Sequence, residues 1–335
     1  MTTMSRRSFL EFAAGAGAAA GLGQATLGAV AARAAGLPEL KHTYVAPGFS
    51  AMITLYLAAK KFDEKNGISL KLGDPQSSLT TYYADLVAGN VDLGMGSWDV
   101  FASRYLAGVP LQLVCVFTTA DMIHMMAGPN GPKSVKELAG RSLAAPVSTG
   151  TYRMVRAMLK EFHGIDLEKV ARVQNVDNMA MPGTLLLADR ADAGLSWEPN
   201  ISRPLKADPK LRIIYSAGAD YRAHTGHSMP YFAVAVRKDA LGKGQDIAAR
   251  IAKSFEDTCA SFMANVDEAI ASVPEKILGI DPDVIKLAIG SGRLAFKSVS
   301  MADPAGRASV LAASEFMARN GLLPRKLDEG FFPFG

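Results

Sequence analysis

The sequence lacks the motifs that mark the commonest enzyme classes. It contains no Gly-x-Ser-x-Gly elbow, no His-Glu-x-x-His pair and no phosphate-binding P-loop. Its 36 basic and 32 acidic residues give a formal net charge of only +4. This bias is too small to favour nucleic acid or a membrane surface as a partner. We therefore expect neither catalysis nor nucleic-acid binding.

Cysteine is also scarce. The two cysteines, Cys115 and Cys259, lie in the apolar segments "LVCVF" and "DTCASF", and nothing in their spacing forces them into contact. We expect two buried free thiols. Because an exported protein can form disulfides, a bond between the two remains the alternative.

Long apolar runs are absent after the N-terminal region. That region carries the pair Arg6 and Arg7, a short stretch rich in alanine and glycine, and a small-residue exit ending at Ala34. This pattern predicts a cleaved signal of the twin-arginine type over residues 1–34. No later run reaches the roughly 18 apolar residues that a membrane-spanning helix needs. We expect a soluble protein in the periplasm.

What the chain does contain is a repeated alternation of short apolar runs and amphipathic segments. Such alternation predicts an α/β protein with mostly parallel sheets covered by helices, beginning with a strand at "HTYVA" and a single helix over residues 51–66. The break "AGPNGPKS" divides the pattern into two series and so predicts two doubly wound α/β lobes. We assign residues 35–126 and 233–335 to the first lobe, with the C-terminal helices packed on it, and residues 127–232 to the second.

An internal match supports the two lobes. Residues 86–99, "LVAGNVDLGMGSWD", align with residues 186–198, "LLADRADAGLSWE", and bring Trp98 and Trp197 to equivalent places. Ligands in open α/β sheets bind beyond the carboxyl ends of strands, so both tryptophans should face one cleft and stack on a flat ligand. Asp99 and Glu198 follow them, and either recognise an amine or hold backbone in place.

The segment "VSTGT" at residues 147–151 predicts a helix start. We expect Ser148 to cap the helix by accepting a hydrogen bond from the Thr151 N–H. One hydroxyl suffices for capping, whereas Ser148, Thr149 and Thr151 supply three beside Gly150. The extra groups indicate that a polar ligand binds the positive end of this helix.

Two patterns raise the question of a metal. Met122, Met125 and Met126 are soft ligands that would suit copper, but a buried strand crossing between the lobes accounts for them better. His224 and His227 share a loop without an acidic or thiol partner at a metal-site spacing. We predict no metal and no cofactor.

Taken in order, the segments resemble a known family. They are "GFSAMITLYLAAKKFDEKNGISLKL", "LVAGNVDLGMGS", "SVKELAGRSLAAPVSTGTYRMVRAMLKEFHGIDLEKV" and "ADAGLSWEPN". They resemble the periplasmic substrate-binding proteins of ABC importers of the nitrate, sulfonate, taurine and thiamine-precursor type, over essentially the whole chain after the signal. The resemblance implies a type II periplasmic-binding-protein fold, in which two lobes joined by a two-strand hinge close on a ligand.

The resemblance also implies which residues contact the ligand. They come from the loop after the first strand, the ends of later strands and the "VSTGT" helix start. The expected contacts are Gly48, Phe49, Ser50, Ser97, Trp98, Thr118, Thr119, Ser148, Thr149, Gly150, Thr151, Trp197 and Glu198.

The functional prediction follows from the resemblance and the export signal. We expect a monomer that binds a sulfonate, an aromatic carboxylate or a heterocycle and delivers it to an ABC permease and its ATPase at the inner membrane. Two alternatives remain. One is an exported sensor that presents its closed state to a membrane receptor, and the other is an exported enzyme on the same fold.

Overall fold

The computed structural model describes residues 36–46 and 48–334, so the predicted signal segment lies outside the described residues. Eleven strands form two sheets within this part of the chain. The strands are β1 Glu39–His42, β2 Ser69–Leu72, β3 Leu93–Ser97, β4 Leu111–Val116, β5 Ile123–Ala127, β6 Ser142–Ala145, β7 Arg172–Asn175, β8 Ala193–Trp197, β9 Arg212–Ser216, β10 Phe232–Arg237 and β11 Val299–Ser300.

Helices cover both sheets. Among the described residues none is long and apolar enough to cross a membrane. The helices are α1 Phe49–Lys60, α2 Phe62–Lys65, α3 Leu79–Ala88, α4 Trp98–Leu106, α5 Gly150–His163, α6 Leu167–Val170, α7 Met181–Leu187, α8 Ser202–Ala207, α9 Ala217–Thr225, α10 Ile247–Ala264, α11 Val266–Ala271, α12 Glu275–Leu278, α13 Pro282–Gly290 and α14 Pro304–Arg319.

The first sheet has the order β11-β4-β10-β3-β1-β2 and the second the order β7-β6-β8-β5-β9. Parallel pairs such as β1 with β2 and β6 with β7 connect through helices, as the alternating pattern predicts. In each sheet one inserted strand runs against its neighbours: β10 pairs antiparallel with β3 and β4, and β5 with β8 and β9. The predicted two-lobe α/β architecture is confirmed.

The chain crosses between the sheets twice. It leaves the first sheet after β4, enters the second at β5, and returns from α9 into β10. The predicted lobe boundary at residues 126 and 127 falls inside β5, which pairs only with strands of the second sheet. The crossing itself occupies residues 117–122.

Several predicted elements are shifted. The strand expected at "HTYVA" lies at Glu39–His42, where alternate residues are buried. The single helix expected over residues 51–66 is divided at Lys61, which adopts φ 55° and ends α1 in the left-handed conformation. Strand β9 had no counterpart in the sequence prediction.

The two copies of the internal repeat make the same hydrogen bond in their respective lobes. Asp92, just before β3, accepts the Lys41 N–H at 2.6 Å, and Asp192, just before β8, accepts the Ser142 N–H at 2.8 Å. Each carboxylate thus holds the neighbouring parallel strand of its own sheet in register. The two lobes share this local construction.

The C-terminal helices were expected to pack on the first lobe, but not all of them do. Helix α10 does, since the Tyr56 hydroxyl of α1 bonds to Ser261 at 2.8 Å. Helix α14 instead contacts the second lobe, where the Phe316 ring lies 5.6 Å from Phe162 and Arg319 pairs with Glu161 at 2.6 Å. Phe316 is buried there, while Gly306 near the start of α14 lies against Val299 of β11 in the first sheet.

We predict that both thiols are inaccessible in the folded protein. Cys115 and Cys259 are free and buried, and burial raises the pKa of Cys115 to about 12. A thiol reagent such as Ellman's reagent should therefore label neither cysteine until guanidinium is added, after which both should react. A count of zero thiols in guanidinium would show a disulfide instead.

Candidate functional site: the cleft between the lobes

The loop after β1 is closed by a serine. The Ser50 hydroxyl accepts the Val45 N–H at 2.9 Å and donates to the Val45 carbonyl at 2.8 Å. Gly48 adopts φ 147°, a conformation that favours glycine, and Phe49 begins α1 immediately after it. The Ser50 hydroxyl is therefore committed to backbone, while Gly48 lets the loop turn into the helix.

The end of β3 brings a carboxylate to the cleft. Ser97 ends the strand, and its hydroxyl donates to Asp99 in the first turn of α4. The Ser97 N–H is held by the Tyr83 hydroxyl at 3.3 Å. Ser97 thus orients Asp99, which was expected to be either an amine-binding group or a backbone anchor.

The start of α5 is capped differently from the prediction. Thr149, not Ser148, is the capping residue: its hydroxyl accepts the Tyr152 N–H at 3.3 Å and donates to the Pro146 carbonyl at 2.8 Å. The helix begins one residue later than a Ser148 cap requires. Ser148 itself is exposed.

The remaining residues of this helix start face the first lobe and the hinge. At Gly150 an added Cβ would lie 2.8 Å from Asp99 Oδ2, so a larger residue would force the Asp99 carboxylate to move. The Thr151 hydroxyl is hydrogen-bonded to the hydroxyl of Tyr231 at 2.8 Å. Of the three hydroxyls in "VSTGT", two are therefore used within the protein.

Tyr231 lies at the centre of this cluster. Burial raises the pKa of its hydroxyl, which keeps the group protonated at neutral pH. The ring packs edge-to-face against Trp197 at 6.3 Å. Trp197 is only partly buried, so it can offer ring surface to a ligand.

The expected pair of facing indoles does not form. Trp98 is only 1% exposed and belongs to the core of the first lobe. The reason is the register of the two repeats. The backbone N–H of Trp98 donates to the backbone carbonyl of Tyr231 in the hinge at 2.9 Å. In the second lobe the equivalent bond is donated by the backbone N–H of Glu198 to the carbonyl of Met122, also at 2.9 Å. Trp98 thus corresponds to Glu198, one residue past Trp197, and successive residues point to opposite sides.

Glu198 is buried on that opposite side. Its carboxylate accepts the Arg293 Nε–H at 2.6 Å and both the N–H and the hydroxyl of Ser202. Burial raises the pKa of Glu198, and Arg293 opposes the shift. The carboxylate therefore holds loop backbone and a C-terminal arginine together, the alternative to amine recognition that the sequence left open.

Thr118 and Thr119 serve the hinge. The Thr118 hydroxyl accepts the Phe232 N–H at 3.0 Å, and the Thr119 hydroxyl donates to Asp121 at 2.7 Å. Both line a cavity of about 700 Å³ that also contacts Val299 of the edge strand β11. In the first sheet β11 and β3 lie on opposite sides of β4 and β10, so this cavity is behind the hinge and away from the cleft.

A buried histidine faces the cavity behind the hinge. His124 of β5 is 4% exposed, and its Nδ1 lies 3.0 Å from the Ser216 hydroxyl. Burial lowers the pKa of His124 to about 4, so the ring is neutral at physiological pH. The cavity's polar wall is completed by the ion pair of Arg222 with Asp121.

Sequence reasoning missed two residues that matter here. The sequence patterns single out neither Tyr231 nor Arg293. The signal for Tyr231 was its place in "MPYFAVAV", directly before the strand that returns through the hinge. Nothing local to Arg293 indicates its partner, which lies 95 positions earlier in the chain.

Two α/β lobes, a double crossing and a cleft at the carboxyl ends of β3 and β8 define a periplasmic-binding-protein fold of type II. The family model described as NMT1/THI5 like matches residues 50–269. The chain belongs to this family, which confirms the resemblance noted in the sequence. A comparison with curated proteins gives no match.

Solved structures of the same fold are similar throughout. The periplasmic aliphatic sulphonate binding protein SsuA from Escherichia coli is 18% identical, with a TM-score of 0.68 over 87% of this chain and 90% of that one. The periplasmic sulfonate-binding protein SsuA from Methylobacillus flagellatus is 16% identical, with a TM-score of 0.67 over 88% and 91%. The alkanesulfonate-binding protein SsuA from Xanthomonas axonopodis pv. citri, bound to MOPS, is 13% identical, with a TM-score of 0.64 over 87% and 96%. At these identities the likeness concerns the fold.

We predict that Tyr231→Phe destabilises the protein. The change removes the bond to Thr151, whose side chain is then left buried without its partner, at a cost of about 1–3 kcal/mol. Urea unfolding measures the loss. The double variant Thr151→Val/Tyr231→Phe is the control, because it removes both partners and should lose less than the two single variants together. An unfolding free energy of Tyr231→Phe equal to that of the parent would contradict the role assigned to this bond.

Proposed function

We propose that this protein is the solute-binding component of an ABC importer and works in the periplasm. It would close its lobes on a small organic ligand and pass it unchanged to a permease and its ATPase. The observation that carries the proposal is the meeting of Asp99 from the first lobe with Gly150 from the second, where β3, β8 and α5 converge. A site built from both lobes binds only when they approach each other, as hinge closure requires.

The proteins of similar structure support the same role. One is a periplasmic aliphatic sulphonate binding protein, and another is an alkanesulfonate-binding protein. We propose a ligand from the sulfonates, aromatic carboxylates or heterocycles, bound by a single protein chain.

Charge within the cleft favours one of these classes. The N-terminus of α5 offers backbone N–H groups and a partial positive charge, which suits an anion. The Asp99 carboxylate lies beside it and would repel a sulfonate or carboxylate, and the nearby Arg153 guanidinium, which is exposed and screened by solvent, offsets that repulsion only in part. A heterocycle that carries an N–H donor can satisfy Asp99 and pack against Trp197. We therefore propose that the cleft binds a heterocycle in preference to an anionic ligand.

A thermal-shift screen of residues 35–335 tests the function. The panel should include alkyl and aromatic sulfonates, aromatic carboxylates, pyrimidines, polyamines and nitrate. A ligand at a hundred times its Kd adds about 2.7 kcal/mol to stability, which raises Tm by several degrees. No shift with any class, together with no small molecule released on denaturation, would contradict a solute-binding role.

The variant Asp99→Asn tests the charge argument. Removing the carboxylate should strengthen sulfonate binding roughly tenfold or more, because a negative charge beside the anion is lost. The same change should weaken a heterocycle that donates to Asp99. Isothermal titration calorimetry measures both effects.

A matched control is Asp267→Asn, which removes an exposed carboxylate that pairs with Lys286. It should leave both affinities unchanged. If Asp99→Asn and Asp267→Asn behave alike towards sulfonates, Asp99 does not set the preference between anionic and N–H-donating ligands.

A further inference from the structure

The second lobe contains a cluster of two histidines and one aspartate outside the cleft. His163 is the last residue of α5, while Asp220 and His224 lie one turn apart on α9. One ligand atom from each of the three lies within 4.8 Å of the other two. The sequence prediction had found no acidic partner for His224, but Asp220 is that partner and His163 joins it from another helix.

A single carboxylate oxygen faces both imidazoles. Asp220 Oδ1 lies 2.9 Å from His163 Nε2 and 3.3 Å from His224 Nδ1, and the same His224 nitrogen lies 2.9 Å from the Asp220 backbone carbonyl oxygen. Zinc bonds of 2.0–2.1 Å in a tetrahedral site place neighbouring ligand atoms about 3.3 Å apart. The two distances from Asp220 Oδ1 are close to that edge length, and the third pair of ligand atoms lies within 4.8 Å. An ion that binds here takes the place of the proton that His224 Nδ1 donates to the Asp220 carbonyl.

The surroundings hold the three groups in place. The Tyr215 hydroxyl donates to Asp220 Oδ2 at 2.8 Å, and this oxygen also lies 3.0 Å from His163 Nε2. The His224 ring stacks on Phe162 with centroids 4.4 Å apart and planes 1° apart. Such supporting contacts around metal ligands fix their orientation and raise affinity.

The negative charge of the Asp220 carboxylate also suits a bound cation. The Asp220 side chain is only 13% exposed, and within residues 36–46 and 48–334 the two histidines are the only basic side chains at ion-pair distance from it. A buried carboxylate is stable when paired or when it coordinates a metal. His224, at 37% exposed, leaves a route for an ion to enter.

We propose that His163, Asp220 and His224 bind a divalent transition-metal ion, with Zn²⁺ as the probe. Two imidazoles and one carboxylate are a ligand set that such ions favour over Mg²⁺ or Ca²⁺. Three protein ligands leave a fourth position for water. The bound ion joins the end of α5 to α9 within the second lobe, and this site is independent of the ligand that the cleft takes.

Calorimetric titration of the untagged, chelator-treated protein with Zn²⁺ tests the proposal. We expect one ion per chain, no heat with Mg²⁺, and a rise in Tm of several degrees at saturating Zn²⁺. Replacement by Co²⁺ should give the intense visible absorption of a tetrahedral site. Absence of a stoichiometric Zn²⁺ site in the parent protein would overturn the proposal.

Variants separate this site from other histidines. His163→Gln and Asp220→Asn should each lower Zn²⁺ affinity at least tenfold and remove the Zn²⁺-dependent rise in Tm. His227→Gln is the matched control, since His227 is three positions beyond His224 and outside the cluster, and it should bind as the parent does. His163→Gln covers the case in which Asp220→Asn fails to fold through loss of the Tyr215 contact. Parent-like Zn²⁺ affinity in folded His163→Gln would overturn the assignment.

Discussion

The antiparallel insertion of β10 between β3 and β4 is the constraint on which the cleft depends. Its pairing with β3 places Phe232 opposite Ser97, and the preceding residue, Tyr231, then accepts the Trp98 N–H. The Tyr231 side chain is thereby fixed between the lobes, where it meets Thr151 and Trp197. Because the second crossing leads directly into β10, any change in hinge angle acts directly on these contacts.

Three features contribute to the electrostatics of the cleft: the start of α5, the Asp99 carboxylate, and the Arg153 guanidinium, which also lies close to Gly150 but is exposed and screened by solvent. The start of α5 attracts anions through its unpaired N–H groups, while Asp99 carries a full negative charge to the same place. A helix end supplies about half a unit charge, so the carboxylate outweighs it at equal distance. The cleft is consequently less suited to a bare anion than the helix alone would make it. Glu198, one residue past Trp197, does not add to this charge because Arg293 neutralises it on the other side.

Much of the fold was predictable because periodicity is local. The apolar runs at β3, β4, β6 and β8 predicted strands, and the matching aspartates Asp92 and Asp192 marked equivalent turns in the two lobes. The division of the first long helix at Lys61 and the packing of α14 on the second lobe were not predictable. The division of the helix depends on the left-handed conformation of a single residue, Lys61. The packing of α14 depends on aromatic contacts between distant parts of the chain.

The sequence by itself determined the alternation of elements and the plan of two lobes around a cleft, since these follow from short-range patterns and strand ends. Only the tertiary structure decided which side chains face that cleft. A one-residue offset between the repeats turned Trp98 into the core and Glu198 towards Arg293, while Trp197 remained at the cleft. The pleat reverses side-chain direction at every residue, so an alignment that is correct in its segments can still be wrong about its faces.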